Sequence, residues 1–226
     1  MKTPTIDQRE DAVIVDTGSD PTWRIIWLHG LGADGFDFVP LVGELIKPEW
    51  PAIRFEFPHA PKLPVTINGG MRMRAWYDIS SFDVKGRQDS PGVQASRDAI
   101  SQRVRATRSI PPQRTIIAGF SQGGAIALAT GLTFDERLAG LIVLSAYVPI
   151  AGELSAQLSS ANRTVPIFMA HGSDDQVVPL ALGEESHAWL INAGYDVAWH
   201  RYPMAHNVIA EELLDMAVWL ESRWAG

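Results

Sequence analysis

One short segment near the middle of the chain limits the fold more than any other. Residues 119–124 read Gly-Phe-Ser-Gln-Gly-Gly, between the apolar run 115–118 and the small, apolar run 125–129. That order predicts a buried strand, a sharp turn and a helix. Glycines around Ser121 fit such a turn, because backbone approaches backbone there and a Cβ would obstruct the required dihedrals. The segment therefore predicts an α/β fold with Ser121 at the tip of a turn between strand and helix.

A serine at such a tip is typical of a nucleophile, and a turn of small residues that happens to hold a serine is the plainer alternative. A hydroxyl attacks poorly unless a base removes its proton. The first interpretation therefore requires a histidine and a carboxylate that orients it. In chains with this turn, the acid and then the histidine follow the serine.

Two later strand ends supply these groups. The apolar run 165–170 leads into a polar loop with Asp174 and Asp175, and the strand-like segment 197–202 leads to His206. Parallel strands gather their carboxyl ends at one edge of a sheet, so we expect these groups beside Ser121. Adjacent loop residues point in different directions, and chemistry alone does not decide which aspartate reaches the imidazole. His206 is the expected base, because it follows both the serine and the acid.

The other histidines after Ser121 have plainer explanations. His187 lies on the surface of a predicted helix, and His200 lies inside a predicted strand. His171 shares a loop with the aspartates, so it is more plausible as a loop organiser than as the base.

The oxyanion that forms when a serine attacks an ester needs hydrogen-bond donors that are already in place. One expected donor is the backbone N–H of Gln122, directly after the serine. We assign the second to the backbone N–H of Leu31, in the glycine-rich loop 29–35 that follows the apolar run 23–28. A phosphate-binding role for this loop is the weaker alternative, because the loop lacks the spacings of phosphate-binding motifs.

With these pieces in place, the chain resembles the acyl-protein thioesterase and bacterial carboxylesterase family of α/β hydrolases over nearly its whole length. The matching segments are 29–32, 57–61, 64–70, 75–79, 119–124, 171–179 and 202–206. Residues 68–70 and 76–79 look more like the bacterial carboxylesterase branch than the eukaryotic depalmitoylating one. The resemblance implies that Asp175 is the acid, with Ser121 and His206 as its partners.

Alternating strand and helix patterns predict a single α/β-hydrolase domain over residues 1–226. We expect a predominantly parallel sheet of about seven strands with helices on both faces. The expected strands lie near 12–16, 23–28, 52–57, 114–118, 140–145, 165–170 and 196–202. The expected helices lie near 36–46, 92–107, 122–132, 180–193 and 208–224.

The segment 58–91 is long and has little periodicity, and connections of that length are usually functional. We expect it to border an acyl-binding groove that is mostly apolar. The residues expected to line the groove are Leu31, Trp76, Ile79 and Phe82. For Trp76, packing in the core is an equally open alternative. Arg72 and Arg74 lie nearby, where they either select anionic esters or solvate the rim, and the second role is favoured.

Composition excludes several classes of function. The 226 residues carry a formal net charge of −7, which argues against a nucleic-acid partner. Cysteine is absent, so a thiol nucleophile and disulfides are excluded. No metal-ligand spacing such as His-Glu-x-x-His occurs, and we expect neither metal nor cofactor. Residues 2–11 are polar, and no apolar run approaches membrane-spanning length. These features predict a cytoplasmic protein without stable membrane insertion. A weak homodimer is an expectation that the composition does not decide.

Two functions from different classes follow. The first is a serine carboxylesterase that hydrolyses small-molecule esters of small to medium acyl chains through a Ser121 acyl-enzyme. Its alternative within the same class is an acyl-protein thioesterase, that is a depalmitoylase, or a lysophospholipase. The second is a binding module that keeps the scaffold without turnover. The complete set of serine, acid, histidine and oxyanion loops favours the enzyme.

Overall fold

The computed structural model describes residues 4–81, 89–107 and 109–224. The strands within these ranges are Thr5–Gln8 (β1), Ala12–Asp16 (β2), Trp23–Leu28 (β3), Ile53–Pro58 (β4), Lys62–Val65 (β5), Met71–Arg74 (β6), Thr115–Phe120 (β7), Gly140–Leu144 (β8), Ile167–Gly172 (β9) and Val197–Tyr202 (β10). The α-helices are Leu41–Leu45 (α1), Ser90–Ala106 (α2), Gln122–Thr133 (α3), Ala151–Ser155 (α4), Leu180–Asn192 (α5) and Ala210–Trp224 (α6).

Eight of these strands form one twisted layer in the order β1-β2-β4-β3-β7-β8-β9-β10. The pairs from β4 to β10 are parallel, and the pairs β1-β2 and β2-β4 are antiparallel. The predominantly parallel sheet predicted from the sequence is therefore confirmed. In a parallel sheet the strand ends meet at one edge, and the chemistry-bearing loops after β3, β7, β9 and β10 all leave from that edge.

Side chains of the central strands alternate between two apolar cores, one on each face of the sheet. Ile117 and Val143 face a core closed by α2 and α3, whereas Ile116 and Ile142 face a core closed by α1 and α6. Strands covered on both faces are nearly continuous apolar runs, as in β8 and β9. The expected helices on both faces of the sheet are thus confirmed.

Several elements differ from the sequence prediction, among them the short helix α4, which was not expected. β1 was not expected, because all four of its residues are exposed and its edge position needs no apolar pattern. The helix expected over 36–46 is only Leu41–Leu45, since its first half consists of tight turns that lead into Pro40, which has no N–H to donate. Residues 58–74 include the antiparallel hairpin β5-β6, so this part of the long connection has regular structure.

Helix α6 carries one carboxyl that packing keeps away from solvent. Glu212 lies in its first turn and is fully buried, whereas the neighbouring Glu211 is exposed. Burial raises the pKa of Glu212 from 4.5 to about 8, because the charged form loses its hydration. Within the described ranges, every helix is too short or too polar to span a lipid bilayer.

We expect the contribution of Glu212 to the free energy of unfolding to fall as the pH rises from 4.5 to about 8 and then to level off. In this window the folded protein holds a proton on Glu212 that the unfolded chain has lost. The loss from this one group amounts to at most about 5 kcal/mol. The difference in the free energy of unfolding between wild type and Glu212→Gln should therefore change with pH in this window, whereas the difference between wild type and the exposed control Glu211→Gln should not. Urea denaturation from about pH 5 to about pH 9 measures all three proteins. Parallel profiles for wild type and Glu212→Gln would contradict the assignment.

Candidate active site

Ser121 occupies the turn between β7 and α3, as the sequence predicts. Its backbone has φ 55° and ψ −122°, a conformation that L residues rarely adopt. The turn is held on both sides, because the N–H of Ser121 donates to the carbonyl of Leu144 at 2.9 Å and its carbonyl accepts from Ala125 at 3.1 Å. Strain of this kind persists only where the surroundings enforce it. The serine is therefore presented in a fixed position at the edge of the sheet.

Glycines are required near Ser121 because the neighbouring backbone leaves no room for a Cβ. Their conformational freedom is not the reason. A Cβ on Gly119 would lie 2.3 Å from the carbonyl carbon of Gly123. A Cβ on Gly123 would lie 2.2 Å from the carbonyl oxygen of Leu28, at the end of β3. Both distances are far inside van der Waals contact. The start of α3 is consequently pressed against β3, which brings the loop after β3 close to the serine.

Asp175 and His206 form a close polar pair at the site. Asp175 Oδ2 lies 2.7 Å from His206 Nδ1, and the aspartate side chain is completely buried. The other carboxylate oxygen, Oδ1, accepts from the N–H groups of Val177 at 2.9 Å and Val178 at 2.8 Å. Asp174 is exposed, and its carboxylate accepts from the hydroxyl of Ser173 at 3.2 Å. The two aspartates that the residues alone did not separate thus lie in different environments, and Asp175 is the one beside the histidine.

His171 lies below this pair and is fully buried. Its Nε2 donates to the carbonyl of Val178 at 2.8 Å and lies 3.6 Å from Asp175. Burial lowers the pKa of His171, so the ring is neutral and braces the loop 175–178 from inside. Two other histidines stack on aromatic rings away from the serine, His187 on Trp199 and His200 on Phe168.

A cavity of about 220 Å³ opens at the serine and the histidine. Its lining is mostly apolar, with a few polar groups, which is the usual composition of a small-molecule site. The lining residues are Gly30, Leu31, Ala33, Asp37, Tyr77, Ile79, Phe120, Ser121, Gln122, Tyr147, Val177, Val178 and His206. The cavity thus brings together Ser121, His206, Leu31, Gln122 and Ile79 from the residues that the sequence singled out.

Of the other two residues expected in the groove, only Trp76 is described by the structure, and it lies elsewhere. Trp76 is not part of the cavity lining; it is buried beneath the loop after β3, where its indole N–H donates to the carbonyl of His29 at 2.9 Å. This tryptophan holds the loop from below, because its only polar atom needs a buried acceptor. Phe82 lies outside the described residues. The nearby Arg72 and Arg74 donate to backbone carbonyls of the segment 60–62.

The loop after β3 is fastened by His29, a role that the sequence did not reveal. His29 Nδ1 donates to the carbonyl of Gly30 at 2.7 Å, and Nε2 accepts from the N–H of Ala60 at 3.1 Å. Burial lowers the pKa of His29 to about 4, so the ring stays neutral and keeps both bonds. A Cβ on Gly30 would lie 3.5 Å from the Cβ of Ser121. Leu31, the next residue, is therefore held beside the serine.

The side chain of Gln122 makes a second connection that the sequence did not predict. It is almost completely buried; its Oε1 accepts from the N–H of Trp76 at 2.8 Å, and its Nε2 donates to the carbonyl of Tyr77 at 2.8 Å. A buried amide must find such partners, and its position next to the serine was the available signal. The residue after the serine thus ties the segment 76–77 to the site.

The arrangement can perform proton transfer at a hydroxyl. A histidine that donates Nδ1–H to a buried carboxylate has Nε2 free to accept a proton, and the carboxylate stabilises the imidazolium that results. His206 has this geometry and shares its cavity with Ser121. Within the described ranges, no group of three histidine, aspartate or glutamate side chains is placed to hold a metal ion.

Comparison with known proteins gives the family. The Phospholipase/Carboxylesterase family matches residues 9–223. The chain belongs to this family. It is 37% identical over 217 residues to acyl-protein thioesterase 1 of Yarrowia lipolytica, across 93% of this chain and 96% of that protein. The family membership makes the protein an enzyme, a serine hydrolase of the α/β-hydrolase superfamily.

Solved structures of related proteins have the same fold. Arabidopsis thaliana SOBER1 matches with a TM-score of 0.84 and 31% identity, over 89% of this chain and 98% of that one. Acyl-protein thioesterase 2 of Zea mays matches with a TM-score of 0.85 and 25% identity, over 94% and 98%. The predicted α/β-hydrolase fold is confirmed. These relatives are eukaryotic, so the resemblance to the bacterial branch in particular is not borne out.

The different environments of the two aspartates lead to a testable difference. We expect Asp175→Asn to lower kcat/KM for a p-nitrophenyl ester by about 10³- to 10⁴-fold, because an amide cannot hold the histidine in the required tautomer or stabilise its cation. The matched control Asp174→Asn should stay within about twofold of wild type, since exposed groups outside the site have little effect. Circular dichroism of both variants establishes that they are folded. A larger loss in Asp174→Asn than in Asp175→Asn would reverse the assignment.

Proposed function

We propose that this protein is a serine esterase that hydrolyses carboxylic esters of small to medium acyl chains through a covalent intermediate on Ser121. The observation that carries the proposal is the bond of 2.7 Å between buried Asp175 and His206, together with the cavity that His206 shares with the strained Ser121. A binding module would have no need for a backbone conformation that is costly to maintain.

In the proposed reaction, Ser121 Oγ attacks the ester carbonyl while His206 Nε2 accepts the hydroxyl proton. The negative charge that forms on the carbonyl oxygen is stabilised by the backbone N–H groups of Leu31 and Gln122. The alcohol leaves with the proton from His206, and the acyl group stays on the serine. Water then attacks the acyl-enzyme, with His206 as base again, and the carboxylic acid is released.

The size of the cavity supports the proposed length of the acyl chain. Its volume of about 220 Å³ lies below the range of about 300 to 1,000 Å³ that is usual for drug-sized ligands. Tyr77 and Ile79 bring the segment 58–91 to its wall, which supports the expectation that this segment borders the acyl groove. That residues 1–226 form one domain is likewise a proposal. The cytoplasmic location and the weak homodimer stay predictions from the sequence.

Acyl-protein thioesterase activity is the second candidate. The name of the Yarrowia lipolytica relative favours it, and the same groups can attack a thioester carbonyl. Lysophospholipase activity stays an alternative from the sequence resemblance.

A panel of acyl substrates tests the proposal. p-Nitrophenyl esters from acetate to palmitate, together with thioesters of the same acyl groups, are compared for wild type and Ser121→Ala. We expect kcat/KM of the wild type to peak at short to medium chains and to fall toward palmitate. Ser121→Ala should lose at least about 10³-fold, because it removes the attacking oxygen.

Three outcomes would change the assignment. A preference for palmitoyl thioesters would favour the thioesterase candidate. Residual ester turnover in Ser121→Ala close to that of the wild type would remove Ser121 as the nucleophile. A folded wild type without turnover and without labelling by a fluorophosphonate probe would favour the binding module.

A further inference from the structure

Two tyrosines meet inside the cavity that holds Ser121. Tyr77 and Tyr147 both line this cavity, and their hydroxyl oxygens lie 2.9 Å apart. Tyr77 is only 1% exposed, whereas Tyr147 is partly exposed. The hydrolysis of an ester, as proposed above, assigns no role to either hydroxyl. Two phenylalanines would close the wall equally well, so the hydroxyl pair needs another explanation.

Both tyrosines are held firmly by the framework of the site. The carbonyl of Tyr77 accepts from Gln122 Nε2 at 2.8 Å, so this residue is tied to the neighbour of the nucleophile. Tyr147 follows β8, and the next N–H, that of Val148, donates to Ser186 Oγ on α5 at 2.9 Å. The two hydroxyls therefore have defined positions before a ligand enters, which is the condition for selective binding.

The hydrogens of the two hydroxyls determine which hydrogen bond the tyrosine pair can donate to a ligand. Two hydroxyls carry two hydrogens, and only one of them can lie between the oxygens. The hydrogen of Tyr77 is enclosed by protein, where a donor without an acceptor is costly. The stable arrangement therefore has Tyr77 donating to Tyr147, and the remaining hydrogen belongs to the tyrosine that is open to the cavity.

Both hydroxyls keep their hydrogens at neutral pH. Burial raises the pKa of Tyr77 and of Tyr147, because the charged form of each would lose its hydration. Both groups are therefore neutral near pH 7 and can donate.

We propose that the Tyr147 hydroxyl determines specificity by donating a hydrogen bond to a second oxygen of the substrate, and that Tyr77 positions it. This rests on the proposed esterase function. The preferred substrates are then esters with an ether, hydroxyl or keto oxygen in addition to the ester group, rather than plain alkyl esters. A donor in an apolar wall selects such an oxygen strongly, because an alkyl chain would leave the donor unpaired. Asp37, an exposed carboxyl group, also lines the cavity. A carboxylate there disfavours an anionic oxygen, so the proposed acceptor is a neutral one.

Pairs of esters with nearly the same shape test this proposal. In the acyl arm, the p-nitrophenyl esters of 3-methoxypropanoate and pentanoate are compared, and then those of 5-methoxypentanoate and heptanoate. In the alcohol arm, 2-methoxyethyl butanoate is compared with butyl butanoate. For each pair, kcat/KM for the methoxy ester is divided by kcat/KM for the alkyl ester. This ratio in wild type is then divided by the same ratio in Tyr147→Phe. The resulting double ratio cancels the intrinsic reactivity of the esters.

We expect this double ratio to be about 3 to 10 in at least one pair, the effect of one hydrogen bond. A double ratio above one in the acyl arm places the second oxygen in the acyl group of the substrate. A double ratio above one in the alcohol arm places it in the leaving alcohol. In Tyr77→Phe the preference should fall but not vanish, because the Tyr147 hydroxyl is still present and is no longer held in one direction by Tyr77. An unchanged preference in Tyr77→Phe would overturn the positioning role of Tyr77.

Thermal unfolding gives a readout that does not depend on the substrate. Tyr147→Phe leaves the buried hydroxyl of Tyr77 without an acceptor and should lower Tm by several degrees. The double variant Tyr77→Phe/Tyr147→Phe removes that orphaned group and should recover part of the loss. A double variant that is less stable than Tyr147→Phe would overturn the proposed direction of the bond.

If the wild type hydrolysed the esters and every double ratio were one, the role of Tyr147 would be overturned. The proposed esterase function would stand. If the folded wild type turned over none of the esters, including the plain alkyl ones, the proposed function would fall, and the role of Tyr147 with it.

Discussion

The site depends on the close contact between the backbone at the start of α3 and the end of β3. Gly123 lies so near the carbonyl oxygen of Leu28 that no side chain fits between them. This contact sets the distance between Ser121 and the loop that carries Leu31. Two backbone segments that are far apart in sequence thereby form one surface around the serine. Preorganised N–H groups are effective because they do not have to move when charge develops.

A helix that is buried on all sides keeps this contact rigid. Residues 122–132 of α3 are all buried, between the sheet and α2. A helix of this kind cannot shift without exposing apolar surface or opening a cavity. The strained backbone of Ser121 is held by that packing and by its bond to Leu144. The hydrophobic core thus maintains a conformation that the turn would not adopt alone.

Around this rigid centre, buried polar side chains fasten the loops by bonds to the backbone. Asp175 accepts from two N–H groups of its own loop, His29 joins the loop after β3 to Ala60, and Gln122 holds the segment 76–77. Buried polar groups of this kind specify a single arrangement, because every alternative leaves one of them unpaired. The loops of the cavity are therefore placed by hydrogen bonds, and the strands by apolar burial.

The sequence by itself determined the central strands and the order of serine, acid and histidine, because apolar periodicity and turn residues are local signals. The edge strand β1 escaped that reasoning, since its exposed residues carry no apolar pattern. The tertiary structure showed that Asp175, which the family resemblance implied, is the aspartate beside His206. It also placed Trp76 beneath the loop rather than at the groove wall, and it paired Tyr77 with Tyr147. The physical reason is that a side chain's direction and its hydrogen-bond partner depend on segments that are distant in sequence. Which groups are present is a property of the chain, and which groups meet is decided by the packing of its elements.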